Sequence, residues 1–450
     1  MDGTWRTVSL VGAVVVILLL LHLLPPMYIE GNKLRDVNIL SDLTQVHHDS
    51  LTDHTIAIGD IPVDSTRKNQ HVWPDSITPI EDFSKDGDGM RHFYEALNAG
   101  NDLKRPTRVA YFGDSFIEAD IFTCDLRELL QARFGGMGPG WIDFANPLYN
   151  YRTTINQTAN GTQEFQVMKK PFNIALEGIN ERYYTATDGA TVTTSGTPAR
   201  QHGASWTNAT LFFRTQGGVS ITASGSGQQT FGGSAAVQQM QTRGGATMQS
   251  ITYTITEPSP ETYFFGMALE GTNGVNVDNF SMRGSGGGRL AEMPQSTLDD
   301  FARLRPYDLI VLHFGLNVAS RTATAKTYEA YINSLGTAIE RLRATFPEAS
   351  ILVVSVSDRD ERTADGIHTM RGVQLLRKFQ RKMAYDHHVC FYDLFAAMGG
   401  EDSLAEMVKK KMAASDYTHM TYDGGAMLAK KMYQSMMTGL NFYNKDNNNE

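Results

Sequence analysis

Arg108 to Ser115 reads RVAYFGDS, and Phe116 to Phe134 continues as FIEADIFTCDLRELLQARF before Gly135 and Gly136. Val109, Ala110, Tyr111 and Phe112 make a compact apolar run of strand character, which Gly113 interrupts. From Ile117 to Phe134 the apolar positions Ile121, Leu126, Leu129 and Leu130 fall on one helical face, and the paired glycines stop the helix. Strand, tight turn carrying a serine, then helix is the order these residues dictate. A serine so placed stands at the carboxyl end of a strand with helix N-terminal N–H groups beside it.

Downstream the same alternation returns. Leu309 to Phe314 (LIVLHF), Ile351 to Val356 (ILVVSV) and Val389 to Tyr392 read as strands, and helices are expected at Tyr328 to Phe346, Met370 to Tyr385 and Gly424 to Met437. Nearly continuous apolar strands alternating with amphipathic helices predict an α/β protein whose parallel sheet is covered on both faces. Between the two halves the pattern changes. From about Gly140 to Thr262 short alternating stretches, among them Ala209 to Arg214, Val219 to Ala223 and Ser250 to Thr256, lie between Gly-rich turns. A β-sandwich inserted into the α/β frame is the expectation.

The N-terminal end predicts something else again. Val8 to Leu24 is an almost unbroken apolar run, at about 17 residues short for a spanning helix. No small-x-small cleavage site follows it, so an uncleaved single-pass anchor is favoured over a signal peptide, with the bulk of the chain outside the cytoplasm. The expected organisation is a membrane anchor at 1–29, a linker or arm at 30–85, the α/β domain in two parts at 86–140 and 266–440, the β insert at 141–265, and a disordered tail at 441–450. The formal net charge of -9 argues against nucleic-acid binding. Cys124 and Cys390 are the two cysteines, each in an expected core element, and read as buried thiols rather than a disulfide.

A serine hydroxyl becomes a useful nucleophile only when a histidine takes its proton and an acid orients that histidine. Ser115 supplies the first group, although Asp114 and Ser115 would also suit a helix N-cap. Asp416-Tyr417-Thr418-His419 supplies the others, because three residues of separation in a turn let the carboxylate meet one imidazole nitrogen while the other faces away. Asn317, after the LIVLHF strand, and the backbone N–H groups of Gly284 and Ser115 are candidate donors to a developing oxyanion. His313, His387-His388 and His47-His48 lack a carboxylate or cysteine pattern for a metal and read as packing or surface residues.

In order, Gly113-Asp114-Ser115, a glycine after the insert, Gly315-x-Asn317 and Asp416-x-x-His419 resemble the four blocks of the SGNH (GDSL-like) hydrolase superfamily. The stretches Gly113 to Trp141 and Ala397 to His419 are similar to bacterial peptidoglycan O-acetylesterases, in which a carbohydrate-binding-module-like β-sandwich interrupts the catalytic domain. The resemblance implies a flavodoxin-like α/β/α sandwich with Ser115 as nucleophile, His419 as base and acid, and Asp416 orienting His419. Ser115, Gly284 and Asn317 would form the oxyanion hole, Gly284 being open to a register shift with Gly286, Gly287 and Gly288. No cofactor and no metal is implied. Phe116 and Leu316 depart from the polar or smaller residues common in relatives, so substrate detail does not carry over.

The expected activity is removal of O-acetyl groups from an envelope polysaccharide, foremost the 6-O-acetyl of N-acetylmuramic acid in peptidoglycan, at a bacterial inner membrane. O-acetyl transfer through the same acyl-enzyme, and a non-catalytic polysaccharide-binding role, are the alternatives. In the insert, Trp206, Tyr183 and Tyr184 are candidates either for stacking on sugar rings or for the core.

Overall fold

Hydrophobic strands that must bury both faces set the architecture. In the computed structural model, the described residues are 71–448 together with a short antiparallel pairing of Tyr28–Ile29 with Asn32–Lys33. That pairing lies in a first unit, Met1–Ala57, and the rest lies in a second, Ile58–Glu450. The apolar run Val8 to Leu24 falls outside the described residues. Among those described, no helix is long and apolar enough to cross a membrane.

The central sheet has six strands: β1 (Ile80–Asp82), β2 (Thr107–Gly113), β3 (Val275–Ser281), β4 (Leu309–His313), β5 (Ser350–Val354) and β6 (Cys390–Tyr392). Their order is β3-β2-β4-β5-β6-β1, parallel throughout except for the antiparallel edge strand β1. Helices α1 (Arg91–Ala99), α2 (Thr123–Phe134), α3 (Gln295–Leu304), α4 (Ala325–Thr345), α5 (Arg371–Asp386), α6 (Leu394–Met398), α7 (Ser403–Lys409) and α8 (Tyr422–Asn447) surround it. Alternation along β2 shows how both faces are covered. The Tyr111 ring leans on Phe122 and its hydroxyl reaches Met432 of α8, whereas Phe112 meets Phe280, which packs on Trp141 and so toward Phe301 of α3.

Two boundaries differ from the sequence reading. The arm expected at 30–85 contributes β1, which pairs Ile80, Glu81 and Asp82 with Tyr392, Phe391 and Cys390; a three-residue edge strand of mixed polarity carries too little pattern to be seen in sequence. The tail expected to be disordered from 441 is instead helical through Asn447. Phe442 stacks on His71 and meets Trp73 edge-on, Tyr443 donates to Glu95, and Asn98 donates to Asn444, so contacts with distant segments hold the helix end. Strand β3 and helix α3 were absent from the reading. Every residue of β3 is buried, including Asn276, Asp278 and Asn279, so polar side chains hide it. Asp278 is matched by Arg305 at 2.5 Å, by the Tyr307 hydroxyl at 2.8 Å and by the Trp141 N–H at 2.9 Å.

Between α2 and β3 the chain forms a nine-stranded antiparallel sheet. Strands 155–166, 182–196, 250–256, 219–223 and 227–231 make one half, and 140–143, 262–270, 206–215 and 234–248 make the other. One pairing, Phe264 with Tyr184, links the halves. Ile155, Val192, Ile221 and Tyr253 from the first half and Ile142, Leu211, Phe213 and Met267 from the second share one hydrophobic core. Such an arrangement is two layers closed over a common interior. Cys124 and Cys390 are buried and not joined to each other.

Candidate active site

The carboxyl ends of three neighbouring strands meet at one level. Gly113 of β2 stands opposite Ser281 of β3 on one side and His313 of β4 on the other. The loops that follow carry Ser115, Gly284 and Asn317, which is where parallel sheets place their ligand crevice. Beside them runs the turn before α8. Ala413 bridges to Met420, the Ala414 N–H donates to the His419 carbonyl at 2.8 Å, and Tyr417 adopts φ of 55° to close the turn.

Within that turn Asp416 organises His419 twice. Its Oδ1 accepts from the Thr418 and His419 N–H groups at 3.0 and 3.1 Å, and its Oδ2 lies 2.7 Å from His419 Nδ1. Partial burial opposes the charge on Asp416, but the bonds from His419 and the backbone outweigh it and hold the carboxyl below its ordinary range. With the Nδ1 proton facing a carboxylate, the Nε2 lone pair is left for Ser115, whose Oγ lies 3.0 Å away. The structure therefore brings Ser115, His419 and Asp416 into one relay. The His419 and Asp416 side chains are 40% and 50% exposed, so a bulky or polymeric ester can approach.

The expected donors Gly284 and Asn317 lie on the loops that follow β3 and β4. Asn317 is exposed and uses one Nδ2 hydrogen on the Ser285 carbonyl at 3.0 Å, which ties its side chain to the Gly284 loop and leaves its second hydrogen unspent. Gly284 has φ of 82°, a conformation that favours glycine. Gly287 shares that sign of φ, but its Cβ position would run into the Phe314 ring, so it faces packing rather than the relay.

Asp114 was read as a cap and does more. It is 1% exposed; its Oδ1 accepts from the Phe116 N–H at 2.9 Å, and the Leu316 and Gly315 N–H groups are also turned on it. It thus joins the serine turn to the Asn317 loop. Burial pushes its carboxyl up to about 6 against those favourable bonds. Phe116 and Leu316 are buried, and Phe116 packs on the His313 ring at 4.7 Å. His313 itself is a core residue: burial lowers it to about 3, and Tyr111 bonds its Nδ1 at 3.0 Å. Among the described residues no group of three or more metal-ligating side chains is gathered; His47 and His48 lie outside them.

The model of the GDSL-like Lipase/Acylhydrolase family matches residues 220–426. The protein is a carboxylic ester hydrolase whose residues 220–426 are similar to that family. The match contains Gly284, Asn317, Asp416 and His419 but begins after Ser115, within the β insert. A solved structure titled as a peptidoglycan O-acetylesterase in action superposes with a TM-score of 0.66 at 19% identity, covering 80% of the esterase and 99% of that chain. A family two carbohydrate esterase from Cellvibrio japonicus aligns at 10% identity over 64% of the esterase and 99% of its own chain, with a TM-score of 0.25. The first likeness shows a shared fold that includes the insert. No curated protein matches the esterase.

Proposed function

We propose that the esterase removes O-acetyl groups from a cell-envelope polysaccharide, foremost the 6-O-acetyl of N-acetylmuramic acid in peptidoglycan. The observation that carries this reading is the Ser115–His419–Asp416 relay on an open surface, with Ser115 Oγ 3.0 Å from Nε2 and Nδ1 2.7 Å from Asp416. Ser115 Oγ attacks the acetyl carbonyl carbon while His419 Nε2 takes its proton. The Ser115 and Gly284 N–H groups and the second Asn317 Nδ2 hydrogen stabilise the oxyanion. When the tetrahedral species collapses, the C–O bond to the sugar breaks and His419 returns its proton to the sugar oxygen. Water then gives a proton to His419 and attacks the acetyl-serine; the bond from the acetyl carbon to Ser115 Oγ breaks, His419 returns the proton to Oγ, and acetate leaves. Asp416 keeps its charge throughout and stabilises the imidazolium.

The 40% and 50% exposure of the His419 and Asp416 side chains leaves room for a large alcohol such as a polysaccharide. The reading also places the apolar run Val8 to Leu24 as a single-pass anchor in a bacterial inner membrane, holding the site beside the wall. Acetate release by the full chain from O-acetylated peptidoglycan and from acetylated xylan, with de-esterified samples as blanks, tests the substrate. Faster release from peptidoglycan is expected; release confined to xylan would overturn the choice of polymer. Acetylation of an added glycan in place of acetate release would overturn hydrolysis in favour of transfer.

A further inference from the structure

Aromatic residues in the β insert were candidates for sugar stacking, and the three named from sequence are unsuited to it. Trp206 and Tyr184 are fully buried and Tyr183 is 5% exposed. A different tyrosine has the opposite character. Among the described residues the large hydrophobic side chains that stand out in solvent are Val72, Tyr151 and Met168, and Tyr151 is 73% exposed. Tyr151 and Met168 come from separate segments of the insert, yet both border the loops of the relay.

The placement of Tyr151 follows from a pinned turn. It ends the short turn Pro147–Tyr151, which Asn146 starts by accepting from the Leu148 N–H at 2.9 Å. The hydroxyl of Tyr422, three residues after His419, lies 2.6 Å from the Ala119 carbonyl and 3.0 Å from the Tyr151 carbonyl, which share its one hydrogen, and the hydroxyl oxygen accepts from the Thr153 N–H at 3.3 Å. One phenol thus joins the histidine loop, the segment after Ser115 and the backbone of Tyr151, while the Tyr151 ring itself stays in solvent. Met168 stands at the other side: its Cε lies 3.5 Å from the position a Cβ would take on Gly284.

An ion pair joins the Gly284 loop to the segment after Ser115. Arg283, the residue before Gly284, is 62% exposed and bonds Glu118, which is three residues after Ser115 and buried. The Tyr422 hydroxyl lies against both the Tyr151 carbonyl and the carbonyl of Ala119, the residue after Glu118, which brings the Tyr151 turn beside this pair. The pair is neutral as a whole, so it offers guanidinium N–H donors without a net field for an anion. An exposed ring, a thioether and neutral polar donors on one rim match a pyranose, which has apolar C–H faces and an equatorial belt of hydroxyl and acetamido groups.

We propose that Tyr151, Met168 and Arg283 form a glycan subsite at the rim of the Ser115 site, taking a neutral N-acetylated pyranose ring of the substrate chain. Tyr151 stacks on the ring face, Met168 contacts its edge, and Arg283 donates to its oxygen atoms. The inference rests on the reading of the substrate as a polysaccharide, and it assigns to the insert a role in positioning substrate through a turn at its edge.

Titration calorimetry of the full chain with the β-1,4-linked N-acetylglucosamine hexamer, which carries no ester, tests binding apart from turnover. Wild-type protein should bind the hexamer, Tyr151→Ala should weaken it by about ten-fold or more, and Tyr151→Trp should restore it. A hexuronate oligomer of equal length should bind more weakly than the neutral hexamer. On O-acetylated peptidoglycan, Tyr151→Ala should lose about ten-fold more kcat/KM than it loses on an aryl acetate, with the difference in KM. No binding by wild type, equal affinity in Tyr151→Ala, tighter binding of the hexuronate, or equal losses on both esters would each overturn the subsite. Binding through Tyr151 without acetate release from any glycan would uphold the subsite and overturn the esterase's assigned substrate instead.

Discussion

Replacing Asp120 by Asn removes the one negative charge from a buried cluster that holds the segment after Ser115 to both halves of the molecule. Asp120 Oδ1 accepts from Thr123 Oγ1 at 2.6 Å and from Arg127 at 2.9 Å; Oδ2 accepts from Arg127, Arg152 and Thr154 Oγ1, each at 2.9 Å. The side chains of Asp120, Arg127 and Arg152 are 0%, 3% and 1% exposed. Burial opposes the charge on Asp120, but the two guanidiniums overcome it and hold the carboxyl far below its ordinary range. Asn keeps one acceptor oxygen, for Thr123 and one guanidinium N–H, and takes from two buried cations the carboxylate that both of them bond. Removing one partner of a buried pair costs about 3–5 kcal/mol, and with two cations losing that partner the upper part of that range, about 4–5 kcal/mol, is expected. Urea unfolding followed by fluorescence reads this as the midpoint shift multiplied by the slope. Glu406→Gln, at the exposed pair with Lys409, is the control and should leave the midpoint where it was. A change below about 1 kcal/mol for Asp120→Asn would refute the claim that this cluster is dry and matched. The depressed carboxyl lends stability that is present above its unfolded-state value of about 4 and is lost as pH falls from there toward the folded-state value.

Other outcomes follow from the site and its surroundings. Asp416→Asn should lower kcat on an aryl acetate by about 10²–10⁴-fold, because the amide no longer selects the tautomer that leaves Nε2 free; a loss under ten-fold would remove Asp416 from the relay. Asn317→Ala should lower kcat by about 10²–10³-fold with little change in KM, and a rise in KM at constant kcat would make Asn317 a binding residue instead. Glu177 and Glu181 are buried, and that burial with their mutual repulsion raises Glu177 to about 8, while burial raises Glu181 to about 7. Carboxyls raised in the folded state lend stability that is fully present below their unfolded-state value of about 4.5 and is lost as pH climbs from there through the folded values, so the unfolding midpoint should fall between about pH 4.5 and 8 and level above that. Glu177→Gln should flatten that fall; an unchanged slope would mean the two carboxyls are not the source.

The parallel sheet was legible because β2, β4 and β5 must bury both faces and therefore carry unbroken apolar runs. Strand β3 was not, since Asp278 and its neighbours are satisfied by Arg305, Tyr307 and Trp141, partners far away in sequence. The relay was readable in part. Asp416 and His419 meet through a local turn, so their spacing announced them, whereas Ser115 reaches His419 across 304 residues and could be joined to it only through family resemblance. Gly284 was left uncertain among neighbouring glycines, and contacts separate them: Gly287 lies against Phe314. Asp114 looked like a cap because its second task, facing the Gly315 and Leu316 N–H groups, depends on β2 and β4 being neighbours. Tyr151 carried no signal at all. Its exposure depends on a turn held by Tyr422, and one tyrosine near Tyr149 gives no sequence cue as to which of the two is buried.

The central claim is that Ser115 carries the acyl group. Mass spectrometry of the protein quenched during turnover of an aryl acetate should find one acetyl group on the peptide containing Ser115, and Ser115→Ala should lose both the adduct and turnover. An acetyl group on another residue, or Ser115→Ala turning over at the wild-type rate, would contradict it.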